Sequence, residues 1–229
     1  MIEEERKIVI PGEVIASGED YLPSEGTERQ GNDIIAIRYG LAEEQNRLVK
    51  VISLSGTYSA RKGNVVIGEC VNVTFNGWIL DIGSPSNAFL PVSEFPKYVH
   101  ADELEEFIKI GDIVAAKVMG VKRKSIDLSV KLRGLGRLND GMIIKINSNK
   151  VPRVIGKGGS MINVIKDETK CNITVGQNGY VWIKGDTTED ELLAKNGILF
   201  VTENATINGL TEKLQEWFNK KNKGGKKNE

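Results

Sequence analysis

Residues 153–161 read RVIGKGGSM and place three glycines, Gly156, Gly158 and Gly159, in four positions with Lys157 threaded between them. Glycine in a helical context costs about 1 kcal/mol relative to alanine, so such a cluster needs a physical reason. Two are available: a tight turn between helices, or a backbone that must lie against a ligand. The flanks set the context. Upstream, GMIIKINS reads as a strand and VPRVI as a short turn of helix. Downstream, SMINVIKDETK puts Met161, Ile162, Ile165 and Thr169 at helical spacing, and CNITV and YVWIKG are strand-like again. TTEDELLAKNGILFVTENA and LTEKLQEWFNKK then read as helices, the first opening with Thr188 and Glu191 in capping-box spacing. The predicted order is β-α-turn-α-β-β-α.

A strand, a short helix, a GxxG turn, a longer helix and a strand resemble a KH domain, whose GxxG loop clamps about four nucleotides of single-stranded nucleic acid through the backbone. Here the loop is Gly156-Lys157-Gly158-Gly159. Gly156 and Gly159 free the main chain from Cβ clashes so that phosphates can touch it. The following helix offers unpaired N–H groups and the positive end of its dipole, and Lys157 supplies charge. Arg153, Gly158 and Ser160 complete the expected contact set. A nucleotide-binding P-loop is excluded, because it requires glycine where Val151 stands and Ser or Thr where Gly158 stands. A glycine turn that joins two packed helices and meets no ligand stays open at this point.

Upstream of this segment the pattern is all β. NVVIGECVNVTF, GWILDIGS, NAFLPVS, DIVAAKVMGVK and SIDLSVKL make five short strands, with a more helical insert, ADELEEFIKIG, before the fourth. Five strands in roughly 70 residues predict a small Greek-key barrel of the OB type, other small antiparallel barrels being the alternative. Before it, KIVIPGEVIA, NDIIAIRYGLA and RLVKVISLSG alternate between Gly, Pro and charged turns and predict a small β domain. The fold class is therefore multidomain, β plus α+β. It comprises an N-terminal β domain over 1–60, a barrel over 61–133, and a β-α-α-β-β-α domain with a C-terminal helix over 134–218. A charged tail over 219–229 is expected to be disordered.

Bulk properties restrict the function. With 31 basic and 31 acidic residues the chain is neutral, but residues 1–63 carry 8 basic and 11 acidic, whereas 134–200 carry 9 and 7. Contact with a polyanion is accordingly expected to be local. Cys70 and Cys171 make no CxxC pair and the single histidine, His100, has no metal-type partner nearby, so neither a metal nor a cofactor is expected. No apolar run approaches the length of a membrane span, and the acidic start, MIEEERKIVI, has no signal core; a cytoplasmic protein without membrane contact is expected. Asp102, Glu103, Glu105 and Glu106 read as an exposed helical face, and no nucleophile–base spacing is present, which predicts that the chain is not an enzyme.

The barrel segment resembles an S1 RNA-binding domain through GECVNVTFNGWILDIG, AFLPVSE, IKIGDIVAAKVMGV and IDLSVK. The aromatic and histidine positions that make the stacking platform of that family are occupied by Asn76, Ile79 and Pro91. Since stacking contributes about 1–3 kcal/mol per base, the barrel should hold RNA weakly and mainly through charge. Lys122, Arg123 and Lys124 on the turn between the last two strands, with Lys131 and Arg133 just beyond, are the candidates; a merely solvated surface is the alternative. Trp78, Phe75 and Phe89 are expected in the core or an interface.

An S1 unit followed by one KH unit, preceded by a β domain carrying VIPGEV and closed by GLTEKL, is similar to the RNA-binding cap subunits of the archaeal exosome, over about Ile8 to Phe218. The resemblance implies a non-catalytic subunit, three copies of which sit on a hexameric ring of phosphorolytic RNase subunits, alone or mixed with the other cap protein. The β domains would dock on the ring. Single-stranded RNA would be captured and its 3′ end guided into the ring for degradation and processing. Two other readings remain: an S1-KH transcription elongation factor, although those generally carry two KH units, and a structural scaffold whose glycine loop never meets RNA. Polynucleotide phosphorylase is excluded by the order of its modules and by the absence of room for its catalytic domains.

Overall fold

The computed structural model describes residues 7–54, 56–97, 99–100, 103–122, 125–205 and 209–225, with side chains as far as Lys221. The chain divides into two compact units, Met1–Gly56 and Thr57–Glu229.

The first unit is all β: β1 (Ile8–Val9), β2 (Val14–Ser17), β3 (Leu22–Pro23), β4 (Thr27–Gln30), β5 (Asp33–Ala36), β6 (Gly40–Gln45) and β7 (Leu48–Ser53). They form two small sheets, ordered β1-β6-β7-β3 and β2-β5-β4. Alternation in β6 and β7 sends Ala42 and Val51 inward to join Val9 and Ala36 in a core. The opposite face carries a row in register, Ile8 against Leu41 and Leu41 against Ile52, in which Ile8 and Ile52 are exposed.

The second unit begins with β8 (Val65–Thr74), β9 (Gly77–Asp81), β10 (Ala88–Pro91), the single turn α1 (Leu104–Phe107), β11 (Ile113–Val121) and β12 (Ile126–Ser129). Antiparallel pairs β8–β9, β9–β10, β11–β12 and β11–β8, closed by the parallel pair β10–β12, make a five-stranded barrel. Its core includes Val66, Leu80, Leu90, Val114, Leu128 and the fully buried Trp78. The Trp78 indole N–H donates to the carbonyls of Leu104 (3.2 Å) and Ile108 (3.0 Å), which ties the insert to the barrel. The insert is shorter than its sequence suggests. Ile108 is already extended, and the Asp112 carboxylate accepts from the Lys109 amide at 2.7 Å, turning the chain into β11. Glu103, Glu105 and Glu106 are exposed; Asp102 lies outside the described residues. Of the three aromatics assigned to core or interface, Trp78 is core and Phe89 half-buried. Phe75, in the β8–β9 turn, is 83% exposed and is not a core residue.

The chain next adds β13 (Gly136–Leu138) to the barrel sheet beside β11. The KH segment follows with β14 (Met142–Lys145), α2 (Val151–Ile155), α3 (Ser160–Thr169), β15 (Asn172–Val175), β16 (Tyr180–Lys184), α4 (Thr188–Glu203) and α5 (Leu210–Gly225). Its sheet has the order β14-β16-β15. Ile144, Ile173, Val181 and Ile183 are buried with Val151 and Val154 of α2, Ile165 of α3 and Ile198 of α4, and Leu214 and Phe218 of α5 join the same core. The helical positions Met161, Ile162, Ile165 and Thr169 are all buried.

Two details depart from the sequence reading. The cap of α4 sits one residue earlier, because Thr187 is the residue with extended backbone. Its hydroxyl accepts from the Asp190 amide at 3.2 Å, while Glu191 accepts from the Gly185 amide at 3.1 Å. Helix α5 continues through Gly225, where a tail without structure was expected from 219. Lys221 helps extend it by placing its ammonium 5.9 Å from the Trp217 ring one turn back. Residues 226–229 lie outside the described residues.

Barrel and KH segment belong to one unit because the β15–β16 turn plugs into β8. The amide of Gln177 donates to the Val65 carbonyl (2.8 Å), and its side-chain oxygen accepts from the Val65 amide (2.6 Å). Asn178 is 4% exposed and fully bonded: Oδ1 accepts from the Ile67 amide, and Nδ2 donates to the carbonyls of Ile67 and Ile82.

Candidate nucleic-acid interface

The glycine loop is built by opposed local demands. Helix α2 ends at Gly156, whose φ of 75° and ψ of 171° suit only glycine. A Cβ there would stand 2.7 Å from the Met161 amide nitrogen and 2.8 Å from the Met161 Cβ, so the close return of the chain onto α3 also requires glycine. Gly158 (φ 63°) and Gly159 (φ 83°) complete the bend in the left-handed region. Gly158 differs from Gly156 in one respect that bears on function. A Cβ at Gly158 would meet nothing within 4 Å, so its face is open.

Hydrogen bonds fix the bend from within. The amides of Gly156, Gly159 and Ser160 are given to the carbonyls of Pro152 (2.9 Å), Gly156 (3.2 Å) and Lys157. Arg153, Lys157, Gly158 and Ser160 are exposed and Gly156 and Gly159 half-buried, which puts two cationic side chains beside the exposed main chain that opens α3. An anion matches this arrangement. Asn163, missed by the sequence reading, is exposed on the same helix, its amide nitrogen 3.6 Å from the position a Gly159 Cβ would take.

The cationic residues expected on the barrel are a looser set. Lys122 pairs with Asp127 (2.8 Å) and Lys131 with Glu94 (3.3 Å), while Arg133 is exposed. The Ser129 hydroxyl, with Lys131, holds the Glu94 carboxyl below the ordinary carboxylate range, so Lys131 faces a charged partner at neutral pH. Exposed pairs of this kind contribute about 0–1 kcal/mol and can be exchanged for phosphate contacts. Arg123 and Lys124 lie outside the described residues. The platform positions carry no aromatic: Asn76 is exposed, and Ile79 and Pro91 are half-buried.

Cys70 and Cys171 are buried, and burial pushes both thiols up, away from thiolate reactivity. Among the described residues no group of three His, Cys, Asp or Glu side chains is placed to hold a metal ion, and no helix is long and apolar enough to cross a membrane.

Comparison with known proteins agrees with the two modules. Residues 59–131 match the S1 RNA binding domain model and residues 141–189 a KH domain model. The chain is 42% identical over 214 residues to the exosome complex component Rrp4 of Methanothermobacter thermautotrophicus, covering 93% of this chain and 68% of that one. It is 41% identical to the Rrp4 of Pyrococcus furiosus, covering 92% and 81%, and 38% identical to that of Nitrosopumilus maritimus, covering 95% and 98%. Among solved structures, a candidate exosome complex RNA-binding protein superposes with a TM-score of 0.65 at 32% identity, over 73% of this chain and 98% of that one.

Proposed function

Because this chain belongs to the Rrp4 family of exosome complex components, we propose that it is an RNA-binding cap subunit which captures single-stranded RNA and delivers its 3′ end to catalytic subunits of the complex. The observation that carries this reading is the Gly156–Ser160 bend, with an open face at Gly158, the start of α3 behind it and the cations Arg153 and Lys157 beside it. A sugar-phosphate strand suits that face without base-specific contacts, so it can be held and still slide. The barrel adds weak, charge-based contacts through Lys122, Lys131 and Arg133, with Arg123 and Lys124, next to Lys122 in sequence, as further candidates. Several copies around one entrance would hold RNA by multivalency where one copy holds it poorly. Three copies on a six-membered phosphorolytic ring, by themselves or interspersed with the second kind of cap protein, and a cytoplasmic location complete the proposal.

The β unit at the start of the chain supplies the docking surface. Ile8, Leu41 and Ile52 form an apolar row across three strands, and Ile10, Ile37 and Tyr39 are exposed on the same unit, more apolar surface than a free-standing domain of this size needs. The subunit leaves cleavage to its partners: both matched models are binding modules, and the two thiols are buried.

Reconstitution tests the proposal. The isolated chain should leave end-labelled RNA intact in phosphate and magnesium, and adding it to the catalytic subunits should raise their affinity for single-stranded RNA. Shortening of RNA by the isolated chain, or equal RNA affinity of the complex with and without it, contradicts the proposal.

A further inference from the structure

A cavity of about 270 Å³ opens where β13 leaves the barrel and β14 begins the KH sheet. It is lined by Trp182 and Ile143 from the KH sheet, by Arg137 and Leu138 of β13, and by the carboxylates Asp112 and Asp140. Trp182 and Ile143 are cross-strand partners in register, and their side chains leave the sheet on the side opposite the helices, whereas Ile144, Val181 and Ile183 point into the helical core. This face is therefore separate from the glycine loop, which joins two helices on the other side.

The cavity combines a fixed ring with fixed charges. The Trp182 indole N–H donates to the Asp140 carbonyl at 2.7 Å, which spends its one donor and leaves contact through the ring. The Arg137 Nε pairs with Asp112 at 3.1 Å, holding the partly exposed guanidinium at the rim. Lys184 stands 3.5 Å from Asp140, and Lys145, on the same sheet face, lies 5.2 Å from the Tyr180 ring. Arg137 and Lys184 are the partners of the two carboxylates, so Lys145 is the excess positive charge on this sheet face, beside the cavity. The volume falls below the roughly 300–1,000 Å³ usual for small-molecule clefts, which suits one base and its sugar rather than a larger ligand.

We infer that this cavity takes a single base of single-stranded RNA, stacked against Trp182, with its phosphate at Arg137 and Lys184 and its exocyclic amine donating to Asp112 or Asp140. Stacking on an aromatic surface is sequence-tolerant, because every base has a π face, and the carboxylates add a preference for bases that present an amine. The inference rests on the reading of this chain as an RNA-binding subunit, but it concerns a face that the glycine loop does not share.

The test uses the full chain and a fluorescently labelled 12-nucleotide single-stranded RNA of mixed sequence, with binding followed by anisotropy. Trp182→Ile, which keeps a strand-forming residue, should raise Kd by roughly 5- to 150-fold, the span that one stacked base is worth, and Trp182→Phe should recover most of it. Unmodified protein crosslinked to RNA carrying 5-iodocytidine, whose base presents the exocyclic amine, should yield an adduct on the peptide that contains Trp182, a readout that holds even if Trp182→Ile does not fold. Folded Trp182→Ile with Kd within twofold of the parent, or adducts confined to residues 153–160, overturns the inference and leaves the glycine-loop reading intact. Absence of any RNA binding by the parent chain overturns both.

Discussion

The Asn178 side chain brackets Ile67, its Oδ1 accepting from the Ile67 amide at 3.2 Å and its Nδ2 donating to the Ile67 carbonyl at 2.6 Å. A neighbouring strand would offer the same donor and acceptor, so one amide continues the barrel sheet into the KH hairpin. The third bond, to the Ile82 carbonyl at 2.8 Å, extends the bracket to the segment after β9. Asn178→Ala leaves these buried backbone groups without partners, each worth about 1–3 kcal/mol, and should destabilise the second unit by at least about 3 kcal/mol. Urea unfolding monitored by circular dichroism checks this. A loss under 1 kcal/mol means that the joint is held elsewhere.

The loop glycines should separate by mechanism. Gly156→Ala forces a Cβ into contact with Met161 at a backbone angle open only to glycine, and should cost about 3 kcal/mol of stability. Gly158→Ala meets no atom and bears only the left-handed penalty of about 1–2 kcal/mol. Thermal melts of the two variants side by side check the order, and equal losses would contradict the assignment of Gly156 to packing and Gly158 to access.

Tyr58 gives the barrel an alkaline limit. Burial pushes its hydroxyl up to about 12 against an ordinary value of about 10, and the hydroxyl donates to Asn64 Oδ1 at 2.8 Å. The folded state therefore keeps a proton that the unfolded state releases, so the stabilisation is complete below pH 10 and falls as pH rises from 10 to 12, by about 2 kcal/mol in all. Denaturant unfolding at pH 9, 10.5 and 12 should show this decline, and Tyr58→Phe should remove this part of it at a cost near 1 kcal/mol at neutral pH. The same slope in both proteins assigns the decline to other groups.

The exposed apolar row should matter for assembly and little for folding. Ile52→Asp puts a charge at a 40% exposed position in the row with Leu41 and Ile8. Its stability should stay within about 0.5 kcal/mol of the parent, and co-purification with the catalytic subunits should fall by tenfold or more. Undiminished co-purification places the docking surface elsewhere.

The sequence makes the barrel and the KH segment readable for a common reason: their buried positions recur at strand or helix period, as Met161, Ile162, Ile165 and Thr169 do in α3. The β unit is less readable. Strand β4, Thr27–Gln30, is TERQ, which has no apolar alternation, and it pairs with β5 because tertiary neighbours supply what its own pattern does not. The helical insert shrank to one turn because Asp112 redirects the chain, a contact that local periodicity does not report. Charge was the least legible property. Lys122 and Lys131 read as free cations along the chain, but each meets a carboxylate, one of them 37 residues away. The Trp182 cavity was invisible, since Arg137 of β13, Trp182 of β16 and Asp112 in the turn before β11 are brought together only by the fold.

The most direct measurement is the salt dependence of RNA affinity for the parent chain, Gly158→Asp and Gly158→Asn. Both side chains fit the open face and both tolerate the left-handed backbone, so the pair differs in charge alone. If the bend grips phosphate, log Kobs for the parent falls linearly with log salt by about 0.7 per phosphate contact. Gly158→Asp should then lose tenfold or more at low salt and show a shallower slope, with Gly158→Asn within threefold of the parent. Coincident lines for all three proteins would contradict the account, because no phosphate would then be approaching Gly158.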